Sequence, residues 1–183
     1  FVAHERASQG RPNALYGLER ADYYELLWLT GAAQTDGSRM HAQNIDWHLK
    51  ELVFSRAKTG ERCAIAISGK LETLLRKLPA QGPLFPELIK LDEQKRARDF
   101  RRHVKRLGLH QGTEKLTLHS YRYHMAQWCA EVGMPMRYAQ IILGHSSRTV
   151  ANAYARKCQK AAPTPEAFSA QSGAIIDGAQ YVA

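Results

Sequence analysis

The chain changes its hydrophobic period once and then changes back, and this constrains its fold more than any other feature. Tyr23, Leu26, Leu27 and Thr30 fall at offsets 0, 3, 4 and 7, with Tyr24 and Trp28 four apart. That is one broad face of a buried helix. From Ile45 the period becomes two. Ile45, Trp47 and Leu49 alternate, Lys50-Glu51 offers a turn, and Leu52 and Phe54 alternate again; after Lys58-Thr59-Gly60-Glu61, Cys63, Ile65 and Ile67 do the same. The pattern predicts a small antiparallel sheet of two or three strands. Helical spacing then returns in Leu71, Leu74, Leu75 and Leu78, behind Ser68 as a candidate cap and ahead of Pro79. Residues 91–107 form a charge-dense helix with Phe100, Val104 and Leu107 inward. Thr117 caps a helix bearing Met125, Trp128, Cys129 and Val132 on one face, closed by Gly133. Pro135 opens another helix, which runs through Leu143 and stops at Gly144. Ser146 or Ser147 begins a last one, carrying Val150 and Tyr154. The expected class is α+β, mostly α: a helical domain with one small antiparallel β-sheet.

At 183 residues the chain suits one domain. The expected extents are 1–160 for the domain and 161–183 for a C-terminal tail, where the composition turns to Ala, Pro and Ser. Cys63, Cys129 and Cys158 are scattered and odd in number, which argues against a disulfide framework and for a reducing compartment. No apolar run approaches the roughly 18–20 residues that span a bilayer. The first residue, Phe1, leads the sequence to be read as a fragment of a longer protein.

Charge points to a partner. There are 26 Lys and Arg against 17 Asp and Glu, a formal net charge of +9. Such an excess suits a polyanion, because each basic group beside a phosphate releases condensed counterions. Seven of the twelve residues at 95–106 are basic. Arg101, Arg102 and Lys105 are therefore candidates for contact with a nucleic-acid backbone, with a solvated helix face as the alternative.

Single residues with chemical potential are each ordinary alone. His119 and Arg122 lie three apart on one expected helix, so a proton-transferring group would share a face with a guanidinium, a combination suited to a phosphodiester. His145 follows a helix stop in Leu143-Gly144-His145-Ser146-Ser147, at the start of the next helix, where free N–H groups favour an anion. Zinc ligation by His119 and His145 lacks a third ligand at useful spacing, so no metal is expected. Taken jointly, the spacings carry more weight: Arg122 to His145 is 23 positions and His145 to Tyr154 is nine.

In this ordered set the chain resembles the catalytic domain of the tyrosine recombinases, the phage integrase family. That family shows H-x-L-R, then L-G-H-S about two dozen residues on, then a nucleophilic tyrosine nine residues later. Thr117-Leu118-His119-Ser120-Tyr121-Arg122 resembles the first segment, Ala57-Lys58-Thr59-Gly60-Glu61-Arg62 the lysine-bearing hairpin, and Leu84-Phe85-Pro86 the L-F-P punctuation. The resemblance covers residues 24–158. It implies a 3′-phosphotyrosyl intermediate on Tyr154, with Arg122 clamping the nonbridging oxygens. It also implies His119 as proton donor or acceptor, Lys58 as acid for the departing 5′ oxygen, and His145 as hydrogen-bond donor to the phosphate. No cofactor is implied. Double-stranded DNA is the implied partner, with a homotetramer on paired sites, the tail docking on a neighbouring protomer, and a cytoplasmic or nucleoid-associated location.

One position departs from the pattern. The family's first arginine lies in T-G-A-R-x-x-E, about thirteen residues before an I-D pair. Here the segment reads Thr30-Gly31-Ala32-Ala33-Gln34-Thr35-Asp36, with Ile45-Asp46 thirteen beyond Ala33. Ala33 therefore stands at the arginine position and Asp36 at the acidic one. Arg39 lies six residues on, about 240° around a helix, and cannot simply stand in. Arg56, just before the lysine turn, is the weaker candidate. Three origins fit: a deliberate substitution, a natural DNA binder that has lost cleavage, or an arginine reaching in from elsewhere. The intact remainder favours the first. Cleavage is expected to be impaired, with a non-catalytic DNA-binding module or a type IB topoisomerase-like activity as the alternatives.

Overall fold

A computed structural model describes residues 14–109 and 116–144, with side chains from Gly17 onward. The elements are helix α1 (Ala14–Thr30), the one-turn helix α2 (Gln34–Ser38), strands β1 (Ile45–Asp46), β2 (Glu51–Ser55) and β3 (Arg62–Ala66), and helices α3 (Gly69–Leu75), α4 (Glu93–Arg106), α5 (Ser120–Glu131) and α6 (Met136–Leu143). Single 3₁₀ turns occupy Ala42–Asn44 and Leu88–Lys90. The architecture is mostly helical with one antiparallel sheet in the order β1-β2-β3. No helix among the described residues is long and apolar enough to cross a membrane.

Helix α1 is the axis of the packing. Tyr23, Leu26, Leu27 and Thr30 are all fully buried, as their spacing predicts. Tyr23 meets Phe85 edge-on at 5.4 Å, and Tyr24 meets Phe100 edge-on at 5.4 Å and Tyr121 stacked at 6.3 Å. These rings tie α1 to the Leu84-Phe85 segment, α4 and α5 in one core. Such offset and edge-on pairs add to plain area burial.

The sheet is shorter than its period suggests. Leu52 pairs with Ile65 and Phe54 with Cys63, and all four are buried, but β1 holds only Ile45 and Asp46. Trp47 and Leu49, expected to continue the strand, are exposed at 39% and 62%. The Asp46 carboxylate causes this by accepting the backbone N–H groups of His48 (2.9 Å) and Leu49 (2.8 Å). A side chain that captures its own downstream N–H groups makes a turn in place of a ladder.

Other boundaries moved for similar local reasons. Ser68 occupies the N-cap position of α3, yet its hydroxyl makes no cap; its carbonyl accepts from Leu71 at 3.2 Å. In α4, Asp92 supplies the cap, accepting from the Lys95 N–H. Phe100 and Val104 point inward as expected, joined by the buried Arg96 and His103. Thr117 precedes α5 by more than a cap; His119 holds that position. Trp128 and Val132, expected in the core, are exposed at 45% and 50%. Trp128 stacks on His124 (6.2 Å), which stacks on the exposed Trp28 (3.7 Å), so apolar area on this face is covered by neighbouring rings. Pro135 starts α6 and Gly144 ends it in the left-handed region at φ +55°.

The join between α1 and α2 is built on one glycine. Gly31 sits at φ +64°, and a Cβ there would lie 2.7 Å from Cβ of Met125. Thr30 Oγ1 donates to the Leu26 carbonyl (2.7 Å) and accepts from the Ala32 N–H (3.2 Å), closing the helix end beside it. Gly31→Ala combines left-handed strain with overpacking against a near-backbone atom. It is expected to cost roughly 2–4 kcal/mol, read by urea denaturation; a loss under about 0.5 kcal/mol contradicts this packing.

Candidate active site

The residues with chemical potential gather where the α1–α2 join, the β2–β3 hairpin and the C-terminus of α6 meet. Arg122, on the first turn of α5, is 2% exposed despite its charge. Its Nη1 donates to the Gly31 carbonyl (3.2 Å) and its Nη2 to the Leu143 carbonyl. A charged donor is held this deep only when its N–H groups find acceptors, and these two backbone oxygens come from residues far apart in sequence, 31 and 143. The glycine join and the C-terminus of α6 therefore position the guanidinium together.

Arg56, immediately after β2, reaches the same place. Its side chain is 10% exposed, and Nη1 donates to the Leu143 carbonyl at 2.8 Å. Its Nε lies 2.7 Å from Oδ2 of Asp36, whose side chain is 2% exposed. The contact is an ion pair, with the N–H directed off the line of a good hydrogen bond. The other carboxylate oxygen accepts the Ala57 N–H at 2.9 Å. Two guanidinia thus donate to one carbonyl oxygen, so their donor nitrogens are within about 6 Å of each other, twice a hydrogen-bond length.

His119 and Lys58 lie within electrostatic reach of each other and of the two arginines. His119 stands at the N-cap of α5, one residue before the helix and not on it as the sequence expected, with its ring part exposed and part covered. It is linked to Arg122 through the backbone, the Arg122 N–H donating to the His119 carbonyl at 3.0 Å. Its ring meets Tyr123 edge-on at 4.8 Å. Lys58 is exposed at the tip of the β2–β3 hairpin, a turn closed by the Gly60 N–H donating to the Arg56 carbonyl (2.8 Å) with Gly60 at φ +73°. The partial burial that His119 has, followed by the charges of Arg122, Arg56 and Lys58, pushes its pKa below the ordinary histidine value. Cys63, beneath the two arginines, is pushed up to about 11 by burial, which outweighs their pull. The field around His119 is positive.

The His119 shift has a testable sign. Because its native pKa is depressed, the unfolded chain binds a proton more readily. The neutral ring's contribution to stability is therefore present above pH 6.5 and is lost as pH falls through the native pKa. Histidine NMR on the free protein is expected to show His119 titrating below 6.5. An oxyanion such as tungstate should raise that midpoint, since a nearby negative charge favours imidazolium. A midpoint above 6.5 without anion contradicts the clustering of cations described here.

Ala33 lies at the N-cap of α2, half-buried, three residues from Asp36 in the same turn. Arg39 is exposed at the C-cap of α2. Arg101, Arg102 and Lys105 are exposed on α4, Arg102 pairing with Asp99 at 3.5 Å. His145 and Tyr154 lie outside the described residues, as does the tail 161–183.

A family model, the phage integrase family, matches residues 11–160. The chain belongs to the phage integrase family. Solved integrases agree on the fold. A lambda integrase fragment (75–356), a dimer bound to a COC′ core site, superposes with a TM-score of 0.67 at 22% identity, over 87% of this chain and 58% of that one. The catalytic domain of bacteriophage HP1 integrase gives 0.63 at 20%, over 98% and 93%. The Tn1549 transposon integrase in complex with transposon right end DNA gives 0.60 at 14%, over 92% and 61%. The chain thus spans nearly the whole HP1 catalytic domain but only 58% of the lambda fragment. A comparison with curated proteins finds none that matches. The fold is that of a tyrosine recombinase catalytic domain, as the sequence motifs implied.

Two features of the site were weakly signalled in the sequence. The acceptors for Arg122 are backbone carbonyls, which no side-chain motif reports. Arg56 is the weaker stand-in by sequence because its position just past β2 says nothing of where a side chain of seven heavy atoms ends.

Proposed function

We propose that this integrase cuts and rejoins double-stranded DNA at specific sites through a covalent link to Tyr154. The observation that carries the reading is the meeting of the Arg122 and Arg56 guanidinia on the Leu143 carbonyl, two residues before His145. Planar donors converging where they are largely shielded from water suit a phosphodiester whose charge grows in the transition state. Tyr154 Oη attacks phosphorus, the bond to the 5′ oxygen breaks, and a 3′-phosphotyrosyl ester results; a 5′ hydroxyl reverses the step on a new partner. Bond energy is conserved, so no external energy is needed.

Each neighbouring group has a task in that step. Arg122 holds the nonbridging oxygens. His119, neutral near pH 7 because of its depressed pKa, takes the tyrosine proton. Lys58 gives a proton to the departing 5′ oxygen from the hairpin tip, and His145 donates to the phosphate. Arg101, Arg102 and Lys105 grip the backbone from α4. Four copies assemble on paired sites, with 161–183 reaching a neighbouring protomer. Arginines supply the charge neutralisation for which other phosphoryl-transfer enzymes use a cation.

Ala33 favours a second reading, a DNA binder that no longer cleaves. With no guanidinium in the first arginine's role, cleavage falls by about 10²–10³. The test between the two is capture of protein–DNA adducts on nicked duplexes with a randomised core. The recombinase reading expects an adduct resistant to denaturant; binding without any adduct favours the second.

A further inference from the structure

We propose that Arg56 takes the place left by Ala33, so that Arg56 and Arg122 together form the cradle for the scissile phosphate. The inference rests on the recombinase reading above, and it names a residue that the family pattern leaves unassigned.

The first ground is Asp36. Its side chain is 2% exposed, and a carboxylate held there requires both a cation and N–H donors. Arg56 Nε and the Ala57 N–H take one oxygen each, at 2.7 and 2.9 Å. Adjacent residues of one turn thereby fasten to a single carboxylate, which fixes the direction in which the Arg56 side chain leaves β2. Asp36 is three residues from Ala33 in the same turn, so the acid that would steady an arginine at 33 here pairs with Arg56.

The second ground is the path of the arginine stem. A Cβ at residue 144 would come within 2.7 Å of Arg56 Cγ and 2.6 Å of Cys63 Sγ. Gly144, required by its positive φ, also leaves the channel through which the stem runs. The far end then reaches the Leu143 carbonyl, the same oxygen that takes Arg122.

The third ground is the proximity of two like charges. The Leu143 carbonyl has a lone pair for each guanidinium, but two like charges held side by side away from water repel each other. An anion lying across both relieves that repulsion. The Arg56 fork presents N–H donors beyond the Nε and Nη1 that Asp36 and Leu143 engage. The pull on the His119 pKa comes from Arg122 first among the charges and Arg56 next, ahead of Lys58, so Arg56 shares the field around His119. Arg39, the other arginine near the vacancy, is exposed at the far end of α2.

The test uses tungstate as a tetrahedral anion in calorimetry, and adduct formation on the randomised nicked duplexes. Arg56→Gln is expected to weaken tungstate at least 10-fold and slow adduct formation by about 10²–10³, while Arg39→Gln alters neither. Ala33→Arg alone should change the rate less than about threefold, because the place is filled. Ala33→Arg in the Arg56→Gln background should recover most of the loss, which a merely structural arginine would not allow. If Arg56→Gln does not fold, Arg56→Lys keeps a charge for Asp36 without the planar fork, and at least a 10-fold loss of rate or tungstate affinity is expected. Arg56→Gln, or in its stead Arg56→Lys, matching the wild type in both measurements overturns the inference, as does a 10²-fold gain from Ala33→Arg alone. If the wild type forms no adduct on any duplex while tungstate binding still depends on Arg56, the recombinase reading fails and the oxyanion cradle stands. If adducts form equally with and without Arg56, the reading stands and the cradle falls.

Discussion

Replacing Arg122 by glutamine is expected to lower both stability and cleavage, and by more than any other single side-chain change in the described site. The guanidinium is 2% exposed and donates to the carbonyls of Gly31 and Leu143. Glutamine is shorter and reaches at most one of them, leaving a buried acceptor without its donor. Hydrogen bonds from charged groups contribute about 1.5–3 kcal/mol each, so a loss of roughly 3–4 kcal/mol in urea denaturation is expected. Among the adducts still formed by the folded fraction, the rate should fall on the order of 10²–10³, the cost of removing one charged donor to a developing oxyanion. Arg122→Lys separates the two effects. It retains charge and one hydrogen bond, so stability should recover in part while the rate stays low, because an ammonium cannot bridge two oxygens as a planar fork does. A variant that keeps full stability would show that the two carbonyl contacts contribute little, and one that keeps full rate would remove Arg122 from the chemistry.

How much of this was legible beforehand depends on range. The period-two block at 45–67 and the helical spacing on either side are local patterns. They gave the α+β class and most of the buried faces of α1, α3 and α4, because side-chain direction follows the backbone period, though Trp28, expected on the buried face of α1, is exposed. The failures are local competitions and crowded faces. Asp46 ended β1 by binding its own downstream N–H groups, so Trp47 and Leu49 turned outward. On α5 the 0, 3, 4, 7 spacing correctly placed Met125 and Cys129 inside, but Trp128 and Val132 flank that stripe and stay exposed.

The site was half legible for the same reason. His119 and Arg122 stand out by their spacing and Lys58 by its resemblance to the family's hairpin segment, and the structure puts Arg122 beside the Gly31 and Leu143 carbonyls and Ala33 at the N-cap of the helix that holds Asp36. Arg56 joins residues 20 and 87 positions away, and no spacing rule carries such a contact. The signal that existed was indirect: an acidic residue at 36, retained where its expected arginine was missing, needed some other cation once buried.

The sharpest test concerns Tyr154, the proposed nucleophile, on which the proposed chemistry depends. The protein and its Ala33→Arg variant are incubated with the randomised nicked duplexes, denatured, and digested, and the phosphopeptide is mapped by mass spectrometry. Tyr121 is an unsuitable nucleophile, packed among Tyr24 and Phe100 with its pKa raised by burial. Tyr123 beside His119 and the exposed Tyr138 are the rivals among the described tyrosines. The expected result is one adduct, on Tyr154, in both proteins and absent from Tyr154→Phe. An adduct on Tyr123 or Tyr138, or one that survives Tyr154→Phe, contradicts the assignment.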